Sequence, residues 1–160
     1  MNIFILDKNI TKCARYHCDK HVVKMILESA QILCTVCNKH GIRTPYRSTH
    51  AKHPCVLWAE ASIQNWRWLR RLAQVLNEEF KYRYCHQENH RSYQVIQKLR
   101  EPKLPSLGLT DHPQAMPAQY RVPSNPVLAY RSYYNGMKRP IAAWTRRREP
   151  QWFKLSGSER

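Results

Sequence analysis

His17, His21, Lys24, Glu28 and Gln31 follow one another at intervals of three or four residues. On a helix turning roughly 100° per residue they share one arc of about 80°, while Val22, Ile26, Ala30, Leu33 and Cys37 form the apolar side. An ordinary solvated face is built mainly from Lys and Glu pairs. This one holds two imidazoles, an ammonium, one carboxylate and an amide, the equipment of an acid/base or polar-substrate site. A lone carboxylate among potential cations is held ionised, and it can then take a proton or stabilise a positive centre. For a nucleic-acid substrate the fitting chemistry is attack at a sugar carbon, whose oxocarbenium-like transition state favours a nearby negative charge. The plainer reading of the same residues is a salt-bridged helix face.

Other chemistries fit less well. Cys13, His17 and His21 are four apart, His50, His53 and Cys55 could add ligands, and Cys34 with Cys37 makes a CxxC. Zinc needs four well-placed ligands, or three in a catalytic site, and a lone CxxC inside a helix lacks its second pair. Cys18 lies between two histidines, but neighbouring helical side chains point about 100° apart, so it faces neither as a nucleophile. Four glycines leave little room for a phosphate-cradling loop. No metal and no cofactor are expected.

The elements that must position these residues are helical. Thr11 suits the N-cap of a helix over residues 12–37, with Gly41 closing the turn that follows. His53-Pro54 opens a second long helix, its proline where the first turn needs no N–H, and the stripe Trp58, Ser62, Trp66, Leu69, Ala73, Leu76, Phe80 carries it to about Tyr84. A shorter helix is expected from Ser92 to Leu99. Residues 101–126 hold six of the ten prolines, a density that forbids a regular helix and suits an ordered loop. Ser124-Asn125-Pro126 begins a helix from Val127 to Gly136, and Pro140 a short one to Trp144. Residues 149–160 form a C-terminal tail, in which Trp152-Phe153 reads as an anchor on the core. The expected fold is all-α: a single domain over 1–160 with three or four main helices, a short extended N-terminal segment and a Pro-rich loop.

The 160 residues carry 27 Lys and Arg against 11 Asp and Glu, a net charge of +16. Residues 1–60, 61–100 and 101–160 hold nine, eight and ten of the basic ones, so the excess belongs to a globular body and not to an arm. Such a surface suits a polyanion, with double-stranded DNA the expected partner. No apolar run approaches the ~18 residues of a membrane span, and Asn2 to Leu6 is too short for a signal peptide. A cytoplasmic, intracellular monomer with mostly reduced cysteines is expected.

At Asp19-Lys20-His21-Val22-Val23-Lys24-Met25-Ile26-Leu27-Glu28 the chain resembles the pyrimidine-dimer DNA glycosylases, the phage endonuclease V-like family. There an Asp, a His two later and a catalytic Glu seven after that recur at the spacing of Asp19, His21 and Glu28. Lys24 to Leu33 also resembles the first helix of bacterial members. Lys52-His53-Pro54 stands where those place Asn-His-Pro before a second Trp-rich helix, and Glu78-Glu79-Phe80 follows at similar spacing. The resemblance covers roughly residues 17–84. It implies an N-terminal α-amine that attacks the sugar anomeric carbon and forms an imine, with the helix glutamate stabilising the charged sugar and assisting strand-cleaving elimination. An α-amine suits that role because its reference pKa of about 8 leaves part of it neutral near pH 7. Glu28 carries over as catalytic and His21 as a DNA-contacting residue. The family exposes a threonine amine after losing Met, whereas residue 2 here is Asn, a side chain large enough that Met is often retained.

The reading that results is a DNA N-glycosylase acting on damaged or modified pyrimidines, either with AP-lyase activity through that amine or by water attack alone with Glu28 as general base. Its catalytic set is Glu28 with the amine of Met1 or Asn2. His17, His21, Lys20 and Lys24 steer phosphate or the lesion, and His50 and His53 close the site from the second helix. Arg146, Arg147 and Arg148 are either contacts to the DNA backbone or a solvated tail. Two alternatives stand beside it: a non-enzymatic basic nucleic-acid-binding protein, and a zinc-stabilised regulatory protein.

Overall fold

In the computed structural model residues 1–153 are described, and the rest of the C-terminal tail, 154–160, lies outside the described residues. Two 21-residue helices make the centre: α2 (Asp19–Lys39) and α4 (Ile63–Arg83), packed on each other. Each is preceded by a short helix, α1 (Ile10–Tyr16) and α3 (Pro54–Ala61); α5 (Arg91–Gln97) and α6 (Pro126–Tyr133) complete the all-α domain. Among the described residues there is no strand, and no helix is long and apolar enough to cross a membrane. The core joins Val22, Ile26, Ala30 and Leu33 of α2 to Trp66, Leu69, Ala73 and Leu76 of α4, all fully buried.

Both long helices of the sequence reading are broken, and each break has a polar cause. The helix expected over 12–37 starts earlier, with Asn9 and not Thr11 as N-cap, accepting from the Lys12 N–H at 3.0 Å. It then stops at His17 and Cys18, both extended. Arg83 holds the break open: its guanidinium donates to the carbonyls of His17 (2.7 Å) and Arg15 (2.8 Å), which a continuous helix would have used internally. The second break is at Ser62, also extended (φ −151°, ψ 142°). The Pro-rich loop is zipped to it: Ser62 Oγ donates to the Gly108 carbonyl at 2.8 Å and the Ile63 N–H to the Pro105 carbonyl at 2.9 Å. Asn65 adds Nδ2 bonds to the Trp58 carbonyl and Thr110 Oγ1, both 2.8 Å, and accepts from the Thr110 N–H at 3.0 Å.

α3 begins as expected, with Pro54 in the first turn and the His53 ring capping the Cys55 N–H at 3.1 Å. α6 begins at Asn125-Pro126, whose asparagine caps the Leu128 N–H. It passes into a π-helical turn, Tyr134–Lys138, and a 3₁₀ turn, Arg139–Ile141; the helix expected from Pro140 to Trp144 is only this turn. Trp152 and Phe153 are anchors, Phe153 buried against Trp144 and Trp152 edge-on to Tyr134 and Tyr16.

The N-terminal segment decides the geometry of the site. Ile3, Phe4, Ile5 and Leu6 are all buried, so consecutive side chains on both faces of the segment are covered. Its polar backbone is met by side chains in place of a ladder: Cys13 Sγ donates to the Phe4 carbonyl (3.2 Å), Arg131 Nε donates to the Leu6 carbonyl (2.8 Å), and Arg131 Nη2 pairs with Asp7 (2.9 Å).

Candidate active site

Laying residues 1–6 into the core brings the start of the chain onto the Glu28 face of α2. The Met1 α-ammonium lies 2.9 Å from Glu28 Oε1. The Met1 side chain is only 3% exposed while the residue as a whole is half-buried, so what solvent it meets falls on its main chain. Glu28 is itself buried, and its second oxygen, Oε2, has no hydrogen-bond partner among the described residues. A buried carboxylate oxygen left without a donor is unusual enough to call for an explanation.

The Asn2 side chain is fully engaged in structural hydrogen bonds. Oδ1 accepts from the Ile3 N–H (2.8 Å) and the Tyr130 hydroxyl (2.7 Å), and Nδ2 donates to the Ala115 carbonyl (2.9 Å). Cys55 sits 3.9 Å from the same Oδ1, its thiol pushed up to about 12 by burial and therefore inert. His53 borders the pair: burial, the positive chain terminus and His50 lower its pKa, and Glu28 acts against them. Its Nδ1 is spent on the cap of α3, which leaves Nε2 for a ligand. His50 is exposed, in the left-handed region (φ 49°), with Nδ1 2.7 Å from Thr49 Oγ1. Lys24, one turn before Glu28, and Lys20, a turn further, are exposed.

The other expected site residues lie elsewhere. His17 is fully buried, outside α2, its Nδ1 2.7 Å from the Cys13 carbonyl, and burial lowers its pKa to about 4. His21 is 4% exposed; its Nδ1 lies 2.6 Å from the Tyr134 hydroxyl and its ring packs on Phe4. Burial first, then His17, Lys138 and Lys24, lower its pKa to about 3. Neither histidine can meet a phosphate as placed. The polar arc read from the sequence is thus split: Phe4 and Tyr134 cover His21, while Lys24 stays exposed. Arg147 is tied to Glu79 (2.6 Å), and Arg146 donates to the Tyr82 carbonyl (2.9 Å), both guanidiniums packing on the Tyr82 ring. They hold the C-terminal segment to α4, beside the start of α2 and about 13 Å along its axis from Glu28. Arg148 is exposed.

Comparison with family models, with curated proteins and with solved structures finds no match to this chain. The site therefore speaks through its own geometry. Among the described residues no group of three or more His, Cys, Asp or Glu side chains is arranged to hold a metal ion, and Cys13, Cys18, Cys34 and Cys37 are separate buried thiols. Sequence reasoning missed Tyr130, Tyr134 and Lys138. Lys138 rides 4.7 Å from the centre of the Tyr133 ring and 6.0 Å from that of Phe4. The helix start at Asn125-Pro126 was legible, but nothing in its spacing says that its face meets residues 2 and 21.

Proposed function

We propose that the protein is a DNA N-glycosylase with AP-lyase activity, acting inside the cell on damaged or modified pyrimidines in double-stranded DNA. The observation that carries this reading is the 2.9 Å contact between the Met1 amine and Glu28 Oε1, within a protein of net charge +16. A nucleophile and its base need to be within hydrogen-bond reach, and these two are.

The chemistry runs from that pair. Glu28 takes a proton from the Met1 ammonium, and the freed lone pair attacks C1′ of the target nucleotide. The C1′–N bond breaks, its electrons leave with the base, and the base takes the proton that Glu28 had accepted, which restores the carboxylate. The nitrogen then loses a second proton, its lone pair expels the ring oxygen O4′, and O4′ gains a proton, leaving a protonated imine on the open sugar. Once restored, the carboxylate beside the amine stabilises the positive charge that the nitrogen and then the imine carry. Removal of a C2′ proton by the same carboxylate lets the 3′ phosphate leave, which cuts the strand. Lys24 and Lys20, exposed along α2, are the phosphate contacts beside the site.

Borohydride reduction during reaction with lesion-bearing and abasic duplexes tests the reading. A covalent protein–DNA adduct mapped by mass spectrometry to the Met1 peptide is expected. If no oligonucleotide of the panel gives an adduct or a cut, while duplex binding is tight and salt-sensitive, the protein is a nucleic-acid-binding module and not this enzyme.

A further inference from the structure

Residue 2 carries an arrangement that an apolar core has no use for. Chain termini usually fray, yet the first two residues here are fastened at three points: the buried Met1 thioether, the amine on Glu28 and the Asn2 amide. Each Asn2 polar atom is engaged, with a donor bond to the Ala115 carbonyl and acceptor bonds from the Ile3 N–H and the Tyr130 hydroxyl. Tyr130 is fully buried on α6, and its oxygen also accepts from the Ala115 N–H at 3.2 Å and lies 3.0 Å from the Pro113 carbonyl. One side chain thus ties together the start of the chain, the Pro-rich loop and α6, three segments far apart in sequence.

We infer that Asn2 is the positioning residue of the site, clamped by Tyr130 so that the Met1 amine is held on Glu28. The inference rests on the reading of that amine as nucleophile. Asn2 acts in two ways. Its bonds fix the backbone that carries the amine, sparing the reaction the cost of ordering a free terminus. Its size also keeps Met1 on the chain, since initiator methionine is removed efficiently only before small residues. Loss of Met1 would draw the amine back by one residue, about 3.8 Å, out of hydrogen-bond reach of Glu28, and would empty the space its thioether fills.

The test uses the full chain and an abasic duplex, with borohydride trapping rates measured per folded molecule at saturating DNA. Wild-type protein should give its adduct on Met1. Tyr130→Phe, which removes one oxygen and leaves Met1 in place, should trap about tenfold more slowly while its dissociation constant for the duplex stays within twofold. Asn2→Ser, which permits methionine removal, should yield chains beginning at residue 2 by mass spectrometry and trap at least a hundredfold more slowly. A merely structural role for the clamp would lower the melting temperature of both variants and leave the rate per folded molecule unchanged. A wild-type adduct on Met1 with Tyr130→Phe trapping at the wild-type rate overturns the clamp. Absence of any wild-type adduct overturns the lyase reading on which it rests.

Discussion

The α-amine of Met1 and the carboxylate of Glu28 stand 27 positions apart in the chain and 2.9 Å apart in space. The pairing exists because Ile3 to Leu6 are buried as a segment, delivering residue 1 to the middle of α2. Glu28→Gln keeps the size and one acceptor oxygen but removes the base and the charge. Imine trapping and strand cutting should fall by about 10²–10⁴-fold, with affinity for undamaged duplex nearly unchanged. Single-turnover cleavage beside a binding titration reads both, and wild-type activity in the variant would exclude Glu28 from the chemistry.

Lys24 and Arg147 should respond differently to mutation although both are basic. Lys24 is exposed beside the site, whereas Arg147 is committed to Glu79 at 2.6 Å. Lys24→Ala should weaken duplex binding and reduce the slope of log affinity against log salt by about one. Arg147→Ala should leave that slope alone and lower the melting temperature. Equal slopes for wild type and Lys24→Ala would remove Lys24 from the interface.

Among the described residues Arg83 is the most heavily bonded cation: 2% exposed, paired with Glu79 (2.9 Å) and Asp19 (3.2 Å), and bonded to two carbonyls at the α1–α2 break. Arg83→Ala leaves those groups without their shared donor and should cost about 3–5 kcal/mol, the usual penalty for halving a buried ion pair. Urea unfolding measures it; a loss under 1 kcal/mol would mean that the break is held by packing alone.

Acid should unfold the protein through its neutral histidines. Burial lowers the pKa of His17 to about 4, and of His21 and His112 to about 3. Below about pH 6.5 the unfolded chain therefore takes up protons that the folded chain refuses, so stability falls as pH drops towards 4. Each histidine contributes about 1.4 kcal/mol per pH unit in that window. His112 packs between Trp58 and Trp68, its Nε2 without a hydrogen-bond partner among the described residues. His112→Phe should lose about 2 kcal/mol less than wild type between pH 6.5 and 5, read by urea unfolding at the two pH values. Identical losses would place the acid sensitivity elsewhere.

Local chemistry was well marked in the sequence. Pro54 and Pro126 mark helix starts because proline needs no N–H there, and the Trp66, Leu69, Ala73, Leu76 stripe shows which side of α4 is buried. The six prolines of 101–126 declared a loop, and a lone carboxylate at Glu28 on a polar arc declared a site to examine. The breaks at His17 and Ser62 were illegible, since neither residue is a helix breaker. They exist because Arg83, 66 positions after His17, and Gly108, 46 after Ser62, supply partners that compete with the helix.

Periodicity along a helix tells which residues share a side, and by itself it determined the all-α class and the face that holds Glu28. It cannot tell what lies over that side. Only the tertiary structure decided that Phe4 and Tyr134 bury His21 and make it a packing residue, while the Met1 α-ammonium arrives beside Glu28 and pairs with its carboxylate. The reason is physical: side-chain chemistry is local, but burial, and with it pKa and reach, depends on segments brought together from opposite ends of the chain.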